Sequence, residues 1–148
     1  MWYFFDTSAF VKRYKPEVGS EIVQGVWGEA ASMVIVCAIT LVETYAALYR
    51  HSRKGRLSPG ELAKALDGVT ADLESSRLHV LDVTSHHVAR TRHLLAEHEL
   101  TSHDAVILAA ALDLKAFDVI FVCADVRSGL LAAAAASGLS TLNPLTPT

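Results

Sequence analysis

The sequence carries no excess of positive charge. Its 13 lysine and arginine residues are outnumbered by 16 aspartate and glutamate residues, which gives a formal net charge of −3 and a pI near 6.1. A protein that coats duplex nucleic acid without sequence preference is usually strongly basic, so this composition disfavours that class. An enzyme that holds nucleic acid through metal ions and a local basic patch is compatible with it.

Cysteine and long apolar segments are also scarce. The two cysteines, Cys37 and Cys123, lie in apolar runs and form no Cys-x-x-Cys pair, so we predict free, buried thiols in a reducing compartment. The most apolar uncharged run, residues 30–42, is too short to cross a bilayer, and the first residues lack the positive region of a signal peptide. We therefore expect a cytoplasmic protein with no membrane segment.

Intrinsic disorder and fibrous architectures are excluded by the composition. Hydrophobic residues make up 51% of the 148 residues and charged residues 20%, with a mean hydropathy of +0.31 and no collagen-like or heptad repeat. A chain of this length is the size of one domain that buries a core without disulfides. We therefore predict a single domain over residues 1–148.

Short apolar runs alternate with longer helical patterns along the chain. Parallel strands need helical crossovers, and strands buried on both faces are continuous apolar runs, as these are. The alternation predicts an α/β fold with three α/β/α layers and a central parallel sheet. The predicted strands are residues 2–5, 32–36, 78–83, 119–123 and 140–142, and the predicted helices are residues 7–14, 17–27, 38–54, 58–76, 85–97, 104–115 and 126–137.

Three aspartates fall where a parallel-sheet protein places its functional site, near the carboxyl ends of strands. Asp6 follows the first predicted strand directly, Asp125 comes two residues after the strand that ends at Cys123, and Asp104 opens a helix. Taken singly, each aspartate also suits a helix cap or an acid that complements the helix dipole. The position alone therefore leaves both a structural and a functional role open.

Glu43 is the acid that a helix cap does not explain. It lies inside the predicted third helix and is the only charged residue in the segment 30–49. Ile39, Val42 and Ala46 share its helical face, and an unpaired charge on an apolar face is costly. We expect this carboxylate to meet either an arginine or a metal ion.

Together the four acids are typical of a site for a hard cation. Mg²⁺ and Mn²⁺ prefer oxygen ligands, are held by a few carboxylates and keep water molecules for the substrate. The sequence contains no phosphate loop and no glycine fingerprint of the dinucleotide-binding type. Carboxylates without an obvious nucleophile therefore indicate metal-assisted hydrolysis of a phosphodiester.

Four segments carry a family resemblance through their order and spacing. They are residues 6–20 (DTSAFVKRYKPEVGS), residues 40–43 (TLVE), residues 104–111 (DAVILAAA), and residues 124–125 (AD) with residues 138–139 and 143–144 behind them. Over essentially the whole chain, this pattern resembles PIN-domain ribonucleases of the VapC toxin type. The fold class that the resemblance implies is a PIN-like α/β/α domain.

The resemblance also implies an activity and its partners. It implies an endoribonuclease that depends on Mg²⁺ or Mn²⁺, acts on RNA, forms a homodimer and is inhibited by a cognate VapB-type antitoxin. Asp6, Glu43 and Asp104 match the family's three core acids, and Asp125 matches a fourth that is less constant. Ser8 matches a hydroxyl position beside the first acid, where it would orient Asp6 or a metal-bound water. The alternative for Ser8 is a hydroxyl that satisfies a backbone N–H at the helix start.

Other functions compete with the toxin hypothesis. One is a PIN-type metallonuclease without a toxin role, and another is a catalytically silent PIN binding scaffold. Four acids argue against the scaffold, because an unused acid cluster is electrostatically unfavourable. A phosphoacceptor domain of the receiver type is disfavoured because it needs a lysine after a late strand, and no lysine follows Leu142.

Two basic segments are candidates for contacting RNA phosphates. The first contains Arg50, Arg53, Lys54 and Arg56, and the second contains Lys12, Arg13 and Lys15. The first also suits a solvated helix end, where cations are favourable in any case. His103 adjoins Asp104 and is a candidate substrate contact. Tyr45 and Tyr49 lie four residues apart on one helix and are candidates for a dimer or antitoxin surface.

Overall fold

The computed structural model describes residues 1–125 and 127–146, and its centre is a five-stranded parallel sheet. The strands are β1 (Trp2–Phe5), β2 (Met33–Cys37), β3 (Leu78–Leu81), β4 (Ile120–Val122) and β5 (Ser140–Leu142). They lie in the order β3-β2-β1-β4-β5, and every neighbouring pair is parallel. The predicted α/β fold with a central parallel sheet is confirmed.

Helices connect the strands, as parallel pairing requires. Within the described residues they are α1 (Thr7–Phe10), α2 (Ser20–Gly28), α3 (Ala38–Arg53), α4 (Pro59–Glu74), α5 (Ser85–Glu97), α6 (Ser102–Ala111) and α7 (Leu130–Ala136). Two 3₁₀ segments, Val11–Arg13 and Leu112–Phe117, extend α1 and α6. The predicted capping box at the start of α4 is present, because Ser58 and Glu61 exchange hydrogen bonds between side chain and backbone.

Two helices begin later than the sequence pattern predicts, and each begins after a glycine. The prediction started α2 at Glu17, but Gly19 has a φ of 89° and the helix follows it. A Cβ on Gly19 would also lie 2.9 Å from the carbonyl oxygen of Pro144, so the close approach requires glycine as well. α7 follows Gly129, whose φ is 72°. Its predicted first residue, Val126, lies outside the described residues.

An apolar layer covers each face of the sheet. Successive residues of β1 point to opposite faces. Phe4 packs with Phe121 beneath α5, α6 and α7, whereas Phe5 packs with Phe10 and Trp27 beneath α1 and α2. The two layers make this a three-layer fold, and the aromatic run of β1 belongs to its core.

Neither cysteine forms a disulfide. Cys37 and Cys123 are both free and buried, which confirms that part of the prediction. Across residues 1–125 and 127–146, no helix has the length and apolar character that crossing a lipid bilayer demands.

The carboxyl edge of the sheet brings distant residues together. β1 lies between β2 and β4, and the register aligns Phe5 with Val36 on one side and with Val122 on the other. Asp6 follows at this edge, where its N–H donates to the carbonyl oxygen of Val122 at 3.0 Å. Because α1 begins after Asp6 and α3 begins directly after β2, the first turns of both helices reach the same edge.

Candidate active site

Asp6 is a buried carboxylate that caps α1. Its Oδ1 accepts the N–H of Ala9 at 3.0 Å, so the helix-cap role that the sequence allowed is present. Ser8 Oγ lies 2.9 Å from both carboxylate oxygens, and the thiol of Cys123 donates to Oδ2 at 3.3 Å. Burial raises the pKa of Asp6 to about 6, although these hydrogen bonds lower it in part. A carboxyl group perturbed in this way is typical of functional sites.

Ser8 connects Asp6 to the end of β4. Its Oγ accepts the N–H of Ala124 at 2.9 Å while its hydroxyl donates to the carboxylate of Asp6. The N–H that it satisfies thus belongs to the loop after β4 and not to the start of its own helix. This arrangement restricts the rotation of the Asp6 carboxylate, which is the contact that an orienting role needs.

Glu43 lies in the second turn of α3 and is held by two side chains from other elements. Thr7 donates its hydroxyl to Oε1 at 2.8 Å, and His103 Nδ1 lies 3.2 Å from Oε2. An arginine, one of the two partners that the sequence suggested, is not among these contacts. The expectation that Glu43 has apolar surroundings was wrong, because Val42 on its face of the helix is 65% exposed and Ala46 is exposed as well. Glu43 therefore lies on the side of α3 that faces the carboxyl edge of the sheet.

Asp104 and Asp125 complete the group of acids at this edge. Asp104 is in the first turn of α6, whose N-cap Thr101 accepts its N–H at 3.2 Å. Burial raises the pKa of Asp104, and the negative charges of Glu43 and Asp125 raise it further. Asp125 Oδ1 accepts the N–H of Arg127 at 2.8 Å. The fold thus brings Glu43 and Asp125 within electrostatic reach of Asp104.

The acids fit a divalent cation in charge and in chemistry. Among the residues that the structure describes, no three of these acids lie close enough together to hold a metal ion in their present conformations. In the same residues, none of the four acids pairs with a lysine or an arginine. Carboxylate oxygens without a compensating cationic side chain suit Mg²⁺ or Mn²⁺. Ligation would require side-chain rotation, because Mg²⁺ needs its oxygens at about 2.0–2.1 Å.

Sequence reasoning missed two residues that contact the acids. Thr7, which holds Glu43, stands between Asp6 and Ser8, and its place in that motif was the only available signal. Cys123 was assigned only as a buried thiol, yet it donates to Asp6. Its position at the end of a predicted strand, two residues before an acid, was the signal that it faces the same edge.

The stability of the metal-free protein should depend on pH through Asp6. Its pKa is about 6 in the folded state and about 3.9 in an unfolded chain. The folded state therefore binds the proton more tightly, and ionisation of Asp6 destabilises the fold as the pH rises from about 3.9 to about 6. Above about pH 6 this loss in the free energy of unfolding is complete and amounts to about 3 kcal/mol.

The variant Asp6→Asn isolates this contribution, because asparagine does not titrate. We expect its free energy of unfolding to exceed that of the wild type by up to about 3 kcal/mol at neutral pH. The difference should shrink as the pH falls and be smallest well below pH ~3.9, where the wild-type carboxyl is protonated in both states. Urea unfolding in chelator across this pH range measures it. A difference independent of pH would show that Asp6 titrates normally.

A comparison with protein families identifies the fold. The family model described as the PIN domain matches residues 3–137. This chain belongs to the PIN domain family. The recognition made from the four sequence segments is confirmed.

Individual relatives give the same family. Ribonuclease VapC45 of Mycobacterium tuberculosis (strain CDC 1551 / Oshkosh) and ribonuclease VapC49 of strain ATCC 25618 / H37Rv are each 32% identical to this PIN domain over 111 residues. The aligned part covers 74% of this chain and 74% of each relative.

Solved structures share the fold at lower identity. VapC20 of Mycobacterium tuberculosis, a toxin that cleaves the sarcin–ricin loop, superposes with a TM-score of 0.64 at 18% identity and covers 93% of this chain and 95% of its own. VapBC2 of Rickettsia felis, bound to a DNA fragment from its promoter, gives a TM-score of 0.62 at 15% identity and covers 97% and 98%.

Proposed function

We propose that this PIN domain is an endoribonuclease that hydrolyses RNA phosphodiester bonds with Mg²⁺ or Mn²⁺ and serves as the toxin of a toxin–antitoxin pair. The observation that carries the proposal is that Asp104 lies within reach of the negative charges of Glu43 and Asp125 at the carboxyl edge of the sheet. Among the described residues, none of these acids pairs with a lysine or an arginine. The two ribonuclease relatives support the choice of RNA as substrate.

In this proposal Asp6, Glu43 and Asp104 would hold the metal ion, with Asp125 as a further ligand. A bound Mg²⁺ or Mn²⁺ supplies an activated water at neutral pH and neutralises negative charge on the phosphate. The chain's own contribution is positioning. Ser8 and the Cys123 thiol restrict the Asp6 carboxylate from two sides, and Thr7 restricts that of Glu43. Oxygens fixed in this way need less reorganisation when the substrate binds.

The protein partners follow from the same proposal. Solved neighbours include VapBC-1 from nontypeable Haemophilus influenzae and a toxin–antitoxin complex from Klebsiella pneumoniae. By analogy, a VapB-type antitoxin would bind and inhibit this chain. A homodimer is supported by exposed apolar side chains on α3, where Val42 is 65% and Tyr49 43% exposed. Tyr45, the other candidate for this surface, packs against the core instead.

The proposal is tested first by cleavage. Purified protein is incubated with single-stranded and structured RNAs, and with DNA of matching sequence, in Mg²⁺, in Mn²⁺ and in chelator. We expect RNA cutting that requires the metal, because the acids alone offer no nucleophile activation. Cutting of DNA alone would favour a PIN metallonuclease without a toxin role. Failure of the folded protein to cut any substrate with either metal would favour the binding scaffold.

The partner part of the proposal needs a separate measurement. The chain is expressed alone and together with a small reading frame adjacent to its gene, and host growth and the mass of the purified complex are recorded. We expect growth arrest by the chain alone, relief by the partner, and a complex whose mass corresponds to two copies of the chain together with the bound partner. Normal growth with an active nuclease would contradict the toxin role while leaving the cleavage activity intact.

A further inference from the structure

The fold brings the two basic segments of the sequence to one place. Val11, which directly precedes the segment of Lys12, Arg13 and Lys15, packs against Ala47 and Leu48 of α3. The N–H of Lys15 donates to the carbonyl oxygen of Val11 at 3.0 Å, so Lys15 lies one turn further along, towards the last turn of α3. We call the group formed there the basic end of α3. It consists of Lys15, Arg50, His51, Lys54 and Arg56.

The positive charges of this group act on the pKa of the His51 imidazole. Burial lowers the pKa of His51, and the positive charges of Lys15, Arg56 and Arg50 lower it further. The negative charge of Glu17 raises the pKa of His51, but the Glu17 carboxylate already forms ion pairs with Lys15, at 3.0 Å, and with Lys12. The local field at the basic end is therefore positive even with this acid included.

The backbone at the basic end is well ordered by hydrogen bonds. Gly55 has a φ of 71° and follows the C-cap, and its N–H donates to the carbonyl oxygen of Ser52 at 3.0 Å. The N–H of Arg56 donates to the carbonyl oxygen of His51 at 2.9 Å. These two bonds are a Schellman motif, which closes the helix and fixes the position of Arg56 beside it. Arg50 and Arg56 are exposed, and neither forms an ion pair with any described residue.

A favourable helix end does not account for this much charge. The dipole at a helix C-terminus corresponds to about half of one negative charge and acts within the last turn. The last turn already contains Arg50 and Arg53, yet Lys54 and Arg56 directly beyond it add two further cations. Like charges held together repel one another and destabilise the fold. A ligand with several negative charges would remove that repulsion.

The basic end is aligned with the acids along α3. Glu43, Arg50 and Lys54 are separated by seven and then four residues, so they lie on one side of the helix. At a rise of about 1.5 Å per residue, Arg50 is about 10 Å and Lys54 about 16 Å beyond Glu43 along the axis. A stacked strand rises by about 3.4 Å per nucleotide, so the distance to Arg50 corresponds to about three nucleotides.

We propose that the basic end of α3 binds backbone phosphates of the RNA strand about three nucleotides from the phosphate that is cut. This inference rests on the proposed ribonuclease function and adds a substrate subsite to it. The contacts are to phosphates, so they position the strand and carry no base preference.

The test measures the salt dependence of RNA binding. The double variant Arg50→Gln/Arg56→Gln is compared with the wild type by fluorescence anisotropy of a labelled single-stranded RNA of mixed sequence, in chelator, over a series of potassium chloride concentrations. Arg92→Gln is the matched control, because Arg92 is an exposed arginine on α5, a helix with no residue in the apolar cluster of Val11, Ala47 and Leu48. The magnitude of the slope of log binding constant against log salt should fall by about 1.4 in the double variant, because each lost contact removes about 0.7. The control should keep the wild-type slope.

Cleavage of RNAs of two lengths separates this inference from the proposed function. The double variant should cut a long RNA more slowly than the wild type, but it should cut a fragment ending two nucleotides from the scissile bond at the wild-type rate. Equal cutting of the long RNA and an unchanged slope would overturn the subsite while leaving the nuclease intact. Loss of antitoxin binding with an unchanged slope would overturn it in favour of an acidic peptide. A wild type that binds RNA but cuts none would refute the proposed function instead.

Discussion

Replacing Asp6 with asparagine should lower the rate of RNA cleavage by about a hundredfold to a thousandfold, since charge stabilisation by one group in an active site is commonly worth that much. Asp6 is the most buried of the four acids, and its carboxylate is fixed by Ser8 and Cys123. Asparagine keeps the shape and the capping oxygen but loses the negative charge that would hold a metal ion. Single-turnover cleavage of the best RNA from the substrate panel measures the effect.

The matched control for this substitution is Asp67→Asn. Asp67 is an exposed aspartate on α4 with no side-chain hydrogen bond among the described residues, so its replacement should leave the cleavage rate unchanged. The folded state of Asp6→Asn is checked by its thermal transition, which should lie at or above that of the wild type. Full activity in a correctly folded Asp6→Asn protein would exclude Asp6 from the proposed metal site.

The expected gain in stability and loss of activity have one physical origin. An ionised carboxylate that is 4% exposed is unfavourable for folding, which is why burial raises its pKa. A site that is to bind a cation needs that uncompensated charge, so its cost remains in the metal-free protein. This trade between stability and activity is common at functional sites.

The approximate position of Asp6 and Asp125 could be predicted from sequence because buried parallel strands are continuous apolar runs. Such a run ends visibly at its first acid or loop, and parallel strands end at one edge of the sheet. Glu43 was singled out by its isolation in an uncharged helix. Its surroundings were predicted wrongly, because helical periodicity gives which residues share a face but not which face is covered by the rest of the chain.

The contacts among the site residues could not be predicted in the same way. That Thr7 donates to Glu43, and that Cys123 donates to Asp6, depends on how α1 and α3 rotate against the strand ends. The proximity of Lys15 to Arg50 and Arg56 depends on the packing of Val11 against Leu48. Each is a tertiary contact between residues more than thirty positions apart, for which local propensity holds no information.

Adding Mn²⁺ to the metal-free protein should raise its free energy of unfolding by about 2.7 kcal/mol when the free ion is a hundredfold above its dissociation constant. For a domain of this size, that corresponds to a rise of roughly 5–10 °C in the midpoint of thermal unfolding. The physical reason is that the ion binds the folded state, in which the acids converge, and relieves the repulsion among Glu43, Asp104 and Asp125. Differential scanning calorimetry with and without chelator measures the shift.

The pH and a variant decide whether this stabilisation comes from the proposed site. A proton competes with the ion at Asp6, whose pKa is about 6, so the shift caused by Mn²⁺ should be smaller at pH 5 than at pH 7.5. The double variant Glu43→Gln/Asp104→Asn should lose most of the shift, whereas Asp67→Asn should retain it. Potassium chloride at equal ionic strength screens charges without ligating them, so it should give a smaller rise. An equal rise with potassium, or an undiminished rise in the double variant, would mean that the acids of this PIN domain do not hold the ion.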